Sequence, residues 1–210
     1  MSKILIYGDS NTWGDNFLTG KRIPDEKQWP NILSQKLGSD YKVLQEGLPG
    51  RIAGLEEVEK KYKNGKETFM AIFKTNAPVD YLIIALGTND LQIKYNKSSK
   101  KIIEDLLWYT KTIQDLYSFE EDRIKYFNNQ KMPKIKYILP VNFDYKDKAS
   151  VVLDENSELK RQEIISFFKE NKIDCIDFSK LELFDDGIHL NYIGHQKVAD
   201  QVYEVIKNEQ

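Results

Sequence analysis

Apolar runs of strand length alternate along the chain with stretches of helical spacing. Runs at Lys3–Tyr7, Lys42–Gln45, Tyr81–Leu86, Ile135–Leu139 and Asp174–Asp177 predict strands. The third is nearly all apolar, as a central strand buried on both faces should be. The last carries Asp174 and Asp177 around Cys175-Ile176, which suits an edge. Between them, Trp29–Leu37 sets Leu33 and Leu37 four apart, and Lys100–Tyr117 aligns Ile102, Leu106, Ile113 and Leu116 on one stripe. Trp108 on such a stripe reads as core. Asn156–Lys169 and Asn191–Lys207 complete the predicted helices, the latter with Val198, Val202, Val205 and Ile206. This alternation is that of an α/β fold, a parallel sheet with helices on both faces. No repeat or Pro/Gly-rich linker interrupts it, so residues 1–210 are expected to form a single domain. The charge-rich Glu56–Lys66 and the polar Asp144–Lys148 read as solvated helix face or loop.

Composition narrows the partners. Hydrophobic residues make up 40% and charged residues 30%, a globular balance. Lys plus Arg total 31 against 33 Asp plus Glu, a formal net charge of -2. Interleaved charge of that size gives no footprint for nucleic acid and little attraction to an anionic membrane. Cys175 is the single cysteine, so no internal disulfide can form, and its apolar setting suggests a core thiol. With two histidines and one cysteine, a transition-metal site is not expected. The opening apolar run, Ile4 to Tyr7, is too short for a signal-peptide core. No stretch reaches the ~20 apolar residues a spanning helix needs. A soluble, cytoplasmic protein is expected; whether it forms a homo-oligomer is open.

In an open α/β sheet, ligands bind beyond the carboxyl ends of the strands. After the first strand comes Gly8-Asp9-Ser10-Asn11-Thr12-Trp13-Gly14. Ser10 at that turn can present its hydroxyl at the rim, or serve as a helix N-cap. After the second comes Glu46-Gly47-Leu48-Pro49-Gly50-Arg51, either a backbone close enough to polarise an ester carbonyl or an ordinary turn. After the third comes Gly87-Thr88-Asn89-Asp90, where the Asn89 amide can donate to an oxyanion, or cap a helix. Before the last helix stands Asp186-Gly187-Ile188-His189. Histidine supplies a base near neutral pH, and a carboxylate three residues earlier can turn back to fix its tautomer. His195 follows Gly194 inside a helix, without a carboxylate at a useful offset, and reads as a surface or packing residue. A nucleophile, a base with its orienter and two oxyanion donors thus map to one sheet edge.

At these residues the sequence resembles the SGNH hydrolases, also called the GDSL esterase and lipase family, with Ser10, Gly47, Asn89 and His189 in family order. The Trp29-Pro30 helix start, the Gly50-Arg51 pair and Gly194-His195 make it similar to the arylesterase-like branch. The resemblance implies a three-layer α/β/α fold, flavodoxin-like, around a five-stranded parallel sheet. It implies a Ser10-His189-Asp186 triad, an oxyanion hole from the Ser10 and Gly47 N–H groups and the Asn89 side chain, and neither cofactor nor metal. Asp9, Asn11, Trp13 and Arg51, which flank the blocks, are candidate substrate contacts. Asn11 stands where the family's leucine would be, and Arg51-Ile52-Ala53 replaces the Arg-Thr-Thr often seen there. Thr12 also breaks the G-x-S-x-G elbow of ordinary α/β-hydrolases.

The expected activity is hydrolysis of a small-molecule carboxylic ester of short acyl chain, through an acyl-enzyme. Acyl transfer at the same site, carbohydrate O-acetyl ester hydrolysis and lysophospholipid hydrolysis are the alternatives. A non-catalytic flavodoxin-like binding domain is disfavoured. The third strand ends in Leu86-Gly87-Thr88-Asn89 rather than an acidic pocket, and no phosphate-loop motif occurs.

Overall fold

The computed structural model describes residues 1–55, 60–149, 151–178 and 180–209. In chain order the elements are β1 (Ser2–Gly8), α1 (Ser10–Trp13), β2 (Asp15–Asn16), β3 (Lys21–Arg22), α2 (Trp29–Leu37), β4 (Tyr41–Gly47), α3 (Gly65–Asn76) and β5 (Tyr81–Ala85). They continue as α4 (Ser99–Ser118), α5 (Glu120–Tyr126), β6 (Lys134–Ile138), α6 (Glu155–Glu170), β7 (Cys175–Ile176) and α7 (Tyr192–Lys207). The sheet runs β4-β1-β5-β6-β7 with every pairing parallel. All-apolar β5 takes the centre and β7 the edge. Counting only these five, the order is 2-1-3-4-5, so the connections reverse direction between β1 and β5. That is the point where such a sheet opens a crevice at its carboxyl edge.

Alternation along β1 builds both layers of core. Leu5 and Tyr7 face Phe69 and Phe73 of α3, Leu106 and Tyr109 of α4, and Ile164 and Phe168 of α6. Ile4 and Ile6 face Trp29 and Leu33 of α2 and Val198, Val202 and Ile206 of α7. Ile4, Leu5, Ile6 and Tyr7 are wholly buried. Each aliphatic side chain so placed contributes roughly 1.5–3 kcal/mol.

Some expectations change. The fifth strand shrinks to Cys175–Ile176, where it pairs with Tyr137 and Ile138. The helices α3 and α5 and the small antiparallel ribbon β2–β3 lie outside the predicted set. In α3 the buried Phe69 and Phe73 are masked by Lys66, Glu67 and Lys74. Of the charge-rich Glu56–Lys66, residues 56–59 lie outside those described. Lys60 to Tyr62 are exposed as expected, but Asn64 is buried and caps α3 by accepting from the Lys66 N–H at 3.2 Å. Helix α6 begins on a capping box formed by Asp154 and Ser157. Cys175 is only half-buried, at the sheet edge. Among the described residues no helix is long and apolar enough to cross a membrane.

Candidate active site

The turn after β1 is held by its own residues. Asp9 caps α1, accepting from the Asn11 N–H at 3.0 Å, while the Thr12 and Trp13 amides donate to the Asp9 carbonyl. Ser10 is thereby the first helical residue, and its amide has no helical partner. Gly8 and Gly47 lie side by side in the β1–β4 register. A Cβ on Gly47 would stand 2.4 Å from the Trp13 nitrogen and 2.7 Å from its Cα, so glycine there lets the Ser10 turn sit down on β4.

From the other end of the chain, Asp186 organises a tight loop. Its Oδ1 accepts from the Ile188 and His189 amides, each at 3.1 Å, and its Oδ2 meets the His189 Nδ1. Gly187 at φ +68 allows the reversal. The His189 Nε2 then lies 3.0 Å from the Ser10 Oγ. Asn11 ties this loop to the serine turn. Its Oδ1 accepts from the Leu190 N–H at 2.8 Å and its Nδ2 donates to the Ile188 carbonyl at 3.4 Å. The residue at the family's leucine position is therefore a clamp between the two halves of the site.

Asn89 follows β5. Its Nδ2 donates to the Arg51 carbonyl at 3.1 Å, occupying one of two amide hydrogens, and its Oδ1 accepts from Gln92 at 2.9 Å. The segment after the glycine block is fastened by a buried charge network absent from the sequence reading. Asp90 accepts from the Ala53 N–H at 2.8 Å and pairs with Lys97. Lys97 also donates to the Gly54 carbonyl at 2.6 Å and lies 2.8 Å from Asp105. Asp105 binds Lys66 at 2.6 Å. Burial pushes the Asp90 carboxyl up, and Lys97 offsets part of that.

The four flanking residues expected as substrate contacts are largely tied up within the fold. Asp9 and Arg51 are buried, at 3% and 4% exposure. Arg51 donates to the Gly8 carbonyl at 2.8 Å and to the Glu46 carbonyl, and its guanidinium lies over the Tyr7 ring at 4.0 Å. Asn11 is occupied by the histidine loop, and Trp13 is half-buried with the Arg22 guanidinium 5.5 Å from its ring centre. His195 is buried, the packing alternative of the two expected for it. Its Nδ1 accepts from the Trp29 N–H at 3.2 Å, and burial pushes its pKa down to about 3, so it stays neutral.

Electrostatics distinguish His189 from it. Burial pulls the His189 pKa down, but the Asp186 hydrogen bond and charge, with Asp15 and Asp9 nearby, outweigh that and leave it above the ordinary histidine value. For Asp186, burial is outweighed by the bonds from His189 and Ile188, and its pKa is lowered. Burial raises the Asp9 pKa to about 6. Among the described residues no cluster suits a metal ion.

A parallel sheet with a serine hydroxyl, an imidazole and a carboxylate in line at its crevice is the layout of an acyl-transferring hydrolase. A model of the GDSL-like lipase/acylhydrolase family matches residues 4–202, and the chain belongs to that family; it is a carboxylic ester hydrolase. Among solved structures it is similar to a carbohydrate acetylesterase family member from Sinorhizobium meliloti, at TM-score 0.83 and 22% identity over 99% of this chain and 98% of that one. It is likewise similar to the native M. smegmatis aryl esterase, at TM-score 0.81 and 21% identity over 99% of both chains. At these identities the likeness is one of fold. A comparison with curated protein sequences gives no match.

Proposed function

We propose that the chain hydrolyses short-chain carboxylic esters through a covalent acyl-enzyme on Ser10, with His189 as general base and Asp186 as its orienter. The observation that carries this is the 3.0 Å contact between Ser10 Oγ and His189 Nε2, on a ring whose other nitrogen is held by Asp186. Neutral His189 takes the hydroxyl proton as Ser10 attacks the carbonyl carbon. It returns that proton to the leaving alcohol as the C–O bond breaks. Water then attacks the acyl group by the same route, releasing the acid and restoring Ser10. Asp186 stabilises the imidazolium of both steps.

The Ser10 amide, the Gly47 amide and the second hydrogen of the Asn89 amide are the proposed oxyanion donors. Removing one such donor costs about 3–4 kcal/mol in the barrier. Short acyl groups are favoured because the nucleophile itself is enclosed, Ser10 being 6% exposed.

The test is turnover of 4-nitrophenyl acetate, propionate, butyrate and octanoate by the wild type, Ser10→Ala and His189→Ala. Both variants should lose at least about 10³-fold in kcat, as removal of a member of such a triad does. The wild type should favour the two shorter esters. Undiminished turnover in either variant removes that residue from the mechanism, and a preference for octanoate removes the short-chain reading.

A further inference from the structure

Asp15 takes no proton and makes no bond in the steps above, yet its carboxylate lies beside the nitrogen that does. Its Oδ2 lies 4.0 Å from the His189 Nε2, the nitrogen that faces Ser10. Backbone structure sets it there. Gly14 closes α1 in the left-handed region at φ 86, its amide donating to the Ser10 carbonyl at 2.9 Å, and its carbonyl accepts from the Ile23 N–H at 2.8 Å. Asp15 itself pairs with Arg22 in the β2–β3 ribbon. The Arg22 head is turned away, with Nε donating to the Trp13 carbonyl at 2.6 Å and the guanidinium 5.5 Å from the Trp13 ring centre.

Among the described residues no Lys or Arg pairs with the Asp15 carboxylate, and its side chain keeps 23% of its surface exposed. The other carboxylates of the site differ. Asp186 is bound to its own loop and the imidazole, and Asp9 is buried under the serine turn.

Proton return fixes where the leaving group must be. The alcohol oxygen has to come within hydrogen-bond reach of Nε2, about 3 Å. With Oδ2 4.0 Å from the same nitrogen, that oxygen lies no more than about 7 Å from the carboxylate, and its substituents can lie closer. We propose that Asp15 is a specificity-determining residue. It selects esters whose alcohol part carries positive charge or hydroxyl donors beside the ester oxygen, and it rejects anionic alcohols. This rests on the Ser10–His189 reading given under Proposed function. A vicinal hydroxyl of a partly acylated polyol would donate to Asp15 while the ester oxygen meets Nε2. An anionic alcohol would bring like charges together in a half-buried cleft.

The experiment compares kcat/KM for 3-(trimethylammonio)phenyl, 3-tert-butylphenyl and 3-sulfophenyl acetates, each normalised to its rate with hydroxide. Wild type, Asp15→Asn, Asp15→Lys and Ser10→Ala are assayed at low and high salt, with circular dichroism and fluorophosphonate titration counting folded, competent sites. The pair 2-hydroxyethyl and 2-methoxyethyl acetate separates hydroxyl donation from charge. The cation-to-anion ratio should fall on the order of tenfold in Asp15→Asn, invert in Asp15→Lys and shrink with salt. The hydroxyethyl preference should vanish with Asn. The ratio compares two esters on one protein, so a change in His189 basicity cancels. Ratios within twofold of wild type overturn the proposal. So does loss of all turnover in both Asp15 variants with labelling intact, which would make the residue catalytic. Turnover surviving in Ser10→Ala would instead sink the esterase mechanism beneath it.

Discussion

Replacing Asn11 by leucine, the residue the family's pattern would put there, tests how the two ends of the chain are brought together. Two hydrogen bonds disappear, one at 2.8 Å to the Leu190 N–H and one at 3.4 Å to the Ile188 carbonyl. The short one matters more. Leu190 is 2% exposed, so its amide is poorly placed to exchange the lost acceptor for water. An orphaned donor of that kind costs about 1–3 kcal/mol, and the longer bond adds about 0.5–1 kcal/mol. The penalty falls on the closed arrangement of the 186–190 loop, the state that keeps Nε2 at 3.0 Å from Ser10. Asn11→Leu should therefore lose about 1.5–4 kcal/mol in urea unfolding. It should also lose kcat on 4-nitrophenyl acetate more than it gains in KM, because positioning is felt in the chemical step. Asn11→Asp retains an acceptor for the Leu190 amide and should lie between. Stability within 0.5 kcal/mol of wild type together with kcat within about twofold would show that Asn11 does not clamp the site.

Three other perturbations probe separate parts of the account. Since the base must be neutral and the surrounding carboxylates favour its proton, kcat/KM should fall as pH drops through a His189 pKa above the usual ~6.5. A profile flat from pH 5 to 9 would contradict a histidine base. Lys97→Met strips the buried Asp90 of its cation and should destabilise by about 3–5 kcal/mol. Lys101→Met, on a lysine 43% exposed and 3.4 Å from Asp105, should cost under about 1 kcal/mol, and equal costs in urea titrations would argue against the network. Gly47→Ala places a methyl against the Trp13 backbone, which must shift, and the Ser10 turn with it. A loss of at least tenfold in kcat is expected in the same ester assay, and wild-type turnover would contradict the close approach.

The layered architecture was legible because it is written in local spacing. Apolar runs marked the sheet, and the stripes of α4 and α7 appeared with bounds within one residue of those observed. The sheet-edge blocks were legible for a similar reason, each being a short run of unusual residue types after a strand. Contacts set only by the tertiary fold were not. Asn11 meets Leu190 across 179 positions, and nothing near residue 11 announces a partner there. Lys97 sits among lysines and serines that read as surface, yet it is 6% exposed because Asp90, Asp105 and the Gly54 carbonyl converge on it. Nothing in the sequence decides between surface and packing for His195; Gly194 lets the helix close on the Glu182 carbonyl, and the ring is buried beside exposed Gln196 and Lys197. The helix α3 was hidden by its charged residues, which coat the outside of a stripe only two phenylalanines long.

The central claim is that the Ser10 hydroxyl is made nucleophilic by His189. Treating the protein with a fluorophosphonate and locating the adduct by peptide mass spectrometry tests it most directly. One phosphonyl group should appear on Ser10, faster as pH rises, and labelling should be nearly abolished in His189→Ala. An adduct on any other residue, or equal labelling without the imidazole, would contradict it.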